Sequence, residues 1–369
     1  MKKNIVISAI NFHEGGPLTV FKDCLSYLSS ELSGDFNIIA LVSNKDLFGI
    51  SNITYYEFPK ARRSWLNRLY YEYYYFINFS KKIEPYLWLS LHDMTPNVCA
   101  EIRAVYCHNP APFYKPSFSD LLMDPRFVLF TKIYKFAYQI NIKKNKYIVV
   151  QQNWIRDKFI SMFGVKNVIV SLPNVDAPKI ISNEDICRKN DKIIFIYPAF
   201  PRCFKNIEVI CEAAKILNDQ GIFGFEVLLT IKGDENRYSK SLYQKYNSIR
   251  SLKFIGILKR EKLFEYYCKA NCLIFPSKLE TWGLPITEFK LYKKPILLAD
   301  LGYAYETIGE YDKARFFQSD NPKQLAELMK NVVDGSISFG HLKKKTIAPP
   351  FASNWKELFS ILIPGRTRT

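Results

Sequence analysis

Pro276-Ser-Lys-Leu-Glu-Thr-Trp-Gly-Leu-Pro-Ile-Thr-Glu288 follows the apolar run from Cys272 to Phe275, and its reading decides the fold. A short apolar run of this kind predicts a strand covered on both faces. Pro285 suits the first turn of a helix, because the N–H that proline lacks has no partner there. The stretch therefore reads strand, loop, helix, with Glu280 in the loop and Glu288 on the helix. Carboxylates on either side of a helix N-terminus can each accept hydrogen bonds from vicinal hydroxyls. The N–H groups of Trp282, Gly283 and Leu284 can face an anion, and Thr281 joins them in the candidate ligand-binding set. Hydroxyls gripped on one side and phosphate on the other describe a nucleotide sugar.

Working outward, similar β-branched runs recur at 5–10, 38–42, 86–91, 104–107, 147–150, 193–197, 226–231, 253–255 and 296–299, alternating with helical patterns. That alternation predicts α/β architecture with two doubly wound, Rossmann-like domains, since a chain of 369 residues exceeds one ordinary core. Asn174-Val-Asp-Ala-Pro178 and the polar residues 182–191 interrupt the alternation and place a hinge near 175–190. The expected division is 1–175, an N-terminal domain, 176–345, a C-terminal domain, and 346–369, a terminal helix after Pro349-Pro350. The site would lie in the cleft across which the two domains face each other.

A net charge of +17 calls for an anionic partner or a soluble basic surface. Lys and Arg are scattered, and no nucleic-acid fold signature appears, so a nucleic-acid partner is not expected. No run of eighteen apolar residues and no signal-peptide pattern are found, which predicts a cytoplasmic, non-spanning chain. The eight cysteines lack a CxxC pair, and packed reduced thiols are expected rather than disulfides or zinc.

The Pro-Ser-x-x-Glu-x-x-Gly-Leu-Pro-x-x-Glu pattern over 276–288 resembles the signature of the large retaining GT-B glycosyltransferase family, family 4-like, that includes many bacterial enzymes of O-antigen and capsule assembly. The resemblance implies a retaining, metal-independent, hexosyl-type transferase without a cofactor, moving a sugar from a nucleotide-diphosphate donor to a polyprenyl-diphosphate-linked saccharide in cell-surface (lipopolysaccharide-type) polysaccharide synthesis. It assigns donor sugar hydroxyls to Glu280 and the ribose to Glu288. It assigns the diphosphate to Lys205 and Arg202 in Arg202-Cys-Phe-Lys205-Asn206, although these cations are three apart where the family separates them by five. His108 in His108-Asn-Pro-Ala-Pro-Phe113 would touch the donor sugar or its leaving phosphate. Gly15-Gly16, after the first strand, and Gly233 would let backbone approach ligand, although a tight turn explains Gly233 equally well; Ile257 sits in the loop that meets the base. The terminal helix is expected to cross back to the N-terminal domain, an ordinary packed terminal helix being the alternative. A GT-B epimerase, a phosphorylase, or a non-catalytic carbohydrate- or lipid-binding protein would share much of this pattern.

Two further segments bear on acceptor and membrane. His92-Asp93 closes an earlier strand and reads as an acceptor contact or as polar rim. Within 60–82, Leu66, Leu69, Tyr70, Tyr73, Phe76 and Ile77 follow helical spacing and predict a core-facing stripe. Tyr71, Tyr74 and Tyr75 remain outside it, bracketed by Arg62, Arg63, Lys81 and Lys82, and resemble a segment resting on anionic lipid at the inner face of the cell membrane. Solvated cations on a crowded helix are the competing reading.

Overall fold

The computed structural model describes residues 2–13, 15–173, 192–340 and 346–364. The expected hinge at 175–190 lies outside the described residues. The chain divides into two units: Met1–Phe113 with Thr131–Asn174 and Ile347–Thr369, and Tyr114–Phe130 with Val175–Thr346. Residues 114–130, placed in the N-terminal domain by the sequence, thus group with the second unit. The reason is aromatic: Tyr114 and Phe127 pack on Phe204, with ring centroids 6.3 and 5.1 Å away.

In the first unit the strands are β1 (Lys3–Ala9), β2 (Phe36–Val42), β3 (Thr54–Glu57), β4 (Pro85–Ser90), β5 (Ile102–Cys107), β6 (Tyr147–Val150) and β7 (Val168–Ser171). The second unit carries β8 (Ile193–Tyr197), β9 (Phe225–Leu229), β10 (Leu252–Phe254), β11 (Cys272–Phe275), β12 (Ile296–Ala299) and β13 (Ala314–Phe317). A last pair, β14 (Phe351–Ala352), returns to the first unit and joins β7. Among the described residues the sheets run β14-β7-β6-β5-β4-β1-β2-β3 and β10-β9-β8-β11-β12-β13, with parallel pairing throughout.

Successive strand side chains point to opposite faces, so one strand feeds two cores. In β1, Ile5, Ile7 and Ala9 join the core shared with helix Gly15–Glu31 and helix Trp355–Leu362, while Val6 packs with Phe58, Phe76 and Trp88 on the other side. The terminal helix buries Trp355, Leu358, Phe359 and Leu362 in the first unit.

The strand order of each sheet reverses once, between β1 and β4 and between β8 and β11. At such a switch point the loops leaving neighbouring strands diverge and open a crevice beyond their carboxyl ends. The loops after β8 and β11 carry Lys205 and Glu280; those after β1 and β4 carry Gly15 and His92-Asp93.

Helix 65–83 departs from the sequence reading. It is an α-helix over Trp65–Tyr70, a π-turn over Tyr71–Tyr75 and an α-helix over Phe76–Ile83. The wider π-turn shifts the phase of the side chains. The buried face becomes Arg68, Glu72, Phe76 and Ser80, whereas Leu66 and Tyr70, expected in the core, are 79 % and 50 % exposed. Tyr71, expected outside, is partly buried with its ring against Phe58 at 5.3 Å.

Six cysteines (Cys24, Cys99, Cys107, Cys203, Cys211 and Cys272) are free thiols, as the sequence suggested, but Cys268 is disulfide-bonded.

Candidate active site

The second unit assembles its site from the two switch-point loops. After β8 the chain makes a short 3-10 turn, Cys203–Lys205, ended by Asn206 at φ +55°. The Asn206 side-chain amide donates to the Pro276 and Ser319 carbonyls, tying this loop to the one after β11. Lys278 N–H donates to the Phe204 carbonyl at 2.7 Å, a second tie. Tyr303 hydroxyl donates to the Ser277 carbonyl at 2.6 Å, Tyr197 hydroxyl to the Lys205 carbonyl at 2.9 Å, and Thr307 hydroxyl to the Trp282 carbonyl. Six side-chain and backbone bonds thus hold the backbones carrying Lys205 and Glu280 in register.

Held this way, Lys205 Nζ sits 2.5 Å from Glu280 Oε1, both side chains mostly buried. The Glu280 charge adds to burial in raising the Tyr197 and Tyr303 phenols well above their usual range.

Gly283 stands at φ +82° as the cap of helix Leu284–Lys290, with Pro285 in the first turn. A Cβ there would lie 3.1 Å from Ile286 and 3.4 Å from Phe275, so glycine is required by backbone and space together. Among the described residues, no hydrogen bond uses the N–H groups of Trp282, Gly283 and Leu284. The Trp282 indole is packed and donates to Thr287 Oγ1 at 3.0 Å, so only its backbone is available to a ligand. One turn on, Glu288 is buried; its Oε1 pairs with Arg260 at 3.2 Å and its Oε2 accepts from Tyr267 hydroxyl at 3.3 Å. Burial raises the Glu288 carboxyl above its usual value, against the opposing pull of Arg260 and Tyr267.

Beside this helix start lies a hollow of about 220 Å³ lined by Pro198, Ala199, Thr230, Ile257, Leu263 and Pro285 among others. It is an apolar slot at the carboxyl end of the sheet, and Ile257 reaches it from the loop after β10. Arg202 turns elsewhere: its guanidinium pairs with Asp124 at 3.2 Å. Gly233, at φ +99°, is explained by packing, since a Cβ would lie 2.5 Å from the Tyr243 side chain, and its N–H is taken by Glu235 at 3.0 Å.

In the first unit, Gly15 opens helix Gly15–Glu31 at φ +75°, with Gly16 next to it. His108 follows β5. Its ring stacks on Tyr106 at 4.5 Å, its Nδ1 lies 3.5 Å from Gln151 Nε2, and its Nε2 is buried without a partner among the described residues. Burial pushes His108 down to about 4, outweighing the opposite influence of Asp93 and the Leu91 carbonyl, so the ring is neutral at pH 7. His92, read as an acceptor contact or rim, is fully buried: its Nε2 lies 3.1 Å from Glu72 Oε1 and from Ser8 Oγ, and Arg68 donates to its carbonyl at 2.7 Å. An acceptor cannot reach it.

Sequence reasoning missed Arg260 and Tyr267 as partners of Glu288, and Asp124 as the partner of Arg202. Neither pairing has a local signal, because Arg202 and Asp124 are 78 positions apart.

The fold defined by these two parallel, doubly wound sheets is that of the GT-B glycosyltransferases. Sucrose-phosphate synthase from Thermosynechococcus elongatus superposes with a TM-score of 0.65 at 14 % identity, covering 91 % of this chain and 90 % of that one. HepE from Anabaena, solved in complex with UDP-glucose, gives 0.63 at 13 % identity and 90 % of each chain. Residues 179–347 match the family described as Glycosyl transferases group 1. The O-antigen chain mannosyltransferase RfbU of Salmonella typhimurium is 22 % identical over 243 residues, 62 % of this chain and 60 % of that relative's length.

Proposed function

We propose that this chain is a retaining glycosyltransferase that moves a sugar from a nucleotide-diphosphate donor to a lipid-linked saccharide in O-antigen-type polysaccharide assembly. The Lys205–Glu280 pair carries the reading. Two loops are bonded together to hold a cation against a carboxylate at a switch point, beside unused helix-start amides and an apolar slot sized for a base. Similarity to group 1 transferases over 179–347 and to an O-antigen mannosyltransferase supports the same class.

In this reading the base enters the slot at Ile257, Glu288 takes the ribose and Glu280 the sugar hydroxyls. Lys205 turns from Glu280 to the diphosphate, helped by the amides of 282–284, and no metal is assigned a part. Arg202 would have to leave Asp124 to assist. Substitution proceeds on the front face: the diphosphate departs as the acceptor hydroxyl arrives from the same side, and a departing phosphate oxygen takes its proton. Catalysis then rests on stabilising charge that grows on the leaving phosphate. His108 keeps its assignment to the donor sugar or its leaving phosphate, its ring neutral and its Nε2 without a partner among the described residues.

The acceptor's lipid is supported by the first unit's surface. Trp65, Leu66, Tyr70, Tyr74 and Tyr75 are exposed between Arg62, Arg63 and Lys81, Lys82, a composition suited to an anionic membrane interface. No helix among the described residues is long and apolar enough to cross a membrane, and we place the protein peripherally on the cytoplasmic face. The test is consumption of UDP-, GDP- and dTDP-sugars with a polyprenyl-diphosphate saccharide. Acceptor-dependent transfer with retained anomeric configuration is expected; release of an altered nucleotide sugar without acceptor would indicate an epimerase instead.

A further inference from the structure

We propose that Asp93 is a positioning residue whose carboxylate clamps the 108–109 backbone and so aims the His108 ring. Its role rests on the functional reading above only in that the aimed ring serves sugar transfer.

Asp93 stands just past β4, beside the β1–β4 switch point, at φ +73° and 9 % exposed. The left-handed region costs any residue with a Cβ, and glycine would occupy it freely. An aspartate is worth that strain only through its carboxylate, and here the carboxylate is saturated. Oδ1 accepts from His108 N–H at 2.5 Å and Asn109 N–H at 3.2 Å, and Tyr138 hydroxyl lies 3.0 Å from it. Oδ2 accepts from Tyr134 hydroxyl at 2.9 Å. Tyr138 hydroxyl also lies 2.8 Å from the Asn109 carbonyl and accepts Asn109 N–H at 3.2 Å, so it grips Asn109, the second of the two clamped residues.

The clamp is itself anchored. Arg68 holds the His92 carbonyl at 2.7 Å, and Asp93 N–H donates to the Tyr106 carbonyl at 3.3 Å. All these groups belong to the first unit. None of the bonds reaches the imidazole. The ring is left stacked on Tyr106, edge-on to Phe12 at 5.7 Å, with Nε2 buried and unpartnered among the described residues. A backbone fixed from one side and a ring nitrogen left unused are what a ligand-facing histidine needs. The neutral state that burial enforces keeps Nε2 able to donate without carrying charge.

The experiment combines histidine NMR with turnover. The full chain, whose four histidines keep the spectrum simple, is labelled at the imidazole carbons, with His108→Gln to assign the signal. Wild type, Asp93→Asn and Asp93→Ala are titrated between about pH 5 and 8. The wild-type His108 signal should not move. In Asp93→Ala it should titrate near 6.5, the value of a solvated imidazole, and kcat should fall at least about tenfold with donor KM within about twofold. Asp93→Asn, which keeps an acceptor at Oδ1, should fall between. A folded Asp93→Ala with a silent His108, or with wild-type kcat, overturns the proposal. If Asp93→Ala does not fold, Tyr138→Phe, which removes the hydroxyl shared with Asn109, is read the same way. Absence of transfer by the wild type would overturn the functional reading instead, and the NMR arm still decides the clamp.

Discussion

Lys205 Nζ and Glu280 Oε1 lie 2.5 Å apart across 75 positions of sequence, at the reversal point of the second sheet. Neither residue is isolated: each backbone is held by bonds from the other's loop. The pair is therefore built by the fold, and a charged ligand that separates the two must satisfy both.

Glu280→Gln keeps shape and removes the charge. It should cost a charge-assisted hydrogen bond, about 2 kcal/mol, and lower kcat/KM for the donor roughly thirtyfold. Steady-state kinetics over the donor identified in the screen check this, and wild-type efficiency would remove Glu280 from the site.

Glu72 gives a pH dependence. It is fully buried, and burial pushes its carboxyl up from the ordinary 4.5 to about 8. A carboxyl whose folded value is raised favours folding when protonated. Its stabilising share is complete below about 4.5 and is lost as pH rises through about 8. Glu72→Gln removes that titration, so the melting temperature of wild type should fall relative to the variant from pH 5 to 8.5. Parallel melting curves would show that Glu72 is ionised throughout.

Two glycines separate conformation from space. At Gly233, φ +99° combines with a Cβ contact of 2.5 Å to Tyr243; at Gly309, φ is +61° and nothing lies within 4 Å. Gly309→Ala should cost about 1 kcal/mol from backbone alone, and Gly233→Ala about 3 kcal/mol, since strain and overpacking add. Urea unfolding at constant m-value resolves the difference.

Lys294 is a structural lysine. Its Nζ donates to the Cys268 carbonyl at 2.5 Å and the Ala270 carbonyl at 2.7 Å, closing the end of helix Arg260–Lys269. Lys294→Met leaves those carbonyls unpaired and should destabilise by about 2 kcal/mol without changing donor affinity. Because that helix also carries Arg260 and Tyr267, an accompanying loss of donor binding would show that the helix end positions Glu288.

The surface cations of the first unit are tested with vesicles. Reversing Arg62, Arg63, Lys81 and Lys82 together should abolish co-sedimentation with anionic vesicles while leaving binding to neutral ones unchanged. Unchanged sedimentation would remove the membrane from the account.

The strands at 147–150, 193–197, 272–275 and 296–299 were legible because each is buried on both faces and reads as an unbroken apolar run. β3 was not, since Thr54–Glu57 is an edge strand mostly open to solvent, and two-residue β14 exists only because β7 offers a free edge. The Glu280 and Glu288 placements were legible from Pro285, whose backbone need is local. The buried Arg68–Glu72 face was not: a helical wheel assigns charge to solvent, and only His92, 24 positions away from Arg68, reverses that. The clamp at Asp93 was hidden for the same reason, since its donors come from 108–109, Tyr134 and Tyr138.

The central claim is that Lys205 and Glu280 hold a nucleotide-diphosphate sugar. Calorimetric titration of the full chain with UDP-, GDP- and dTDP-sugars, repeated on Lys205→Met and Glu280→Gln, tests it directly. One donor should bind saturably to wild type, with affinity reduced at least about tenfold in Lys205→Met and for the intact sugar nucleotide, but not the bare diphosphate, in Glu280→Gln. Equal affinity of all three proteins for that donor, or no binding of any nucleotide sugar, would contradict the account.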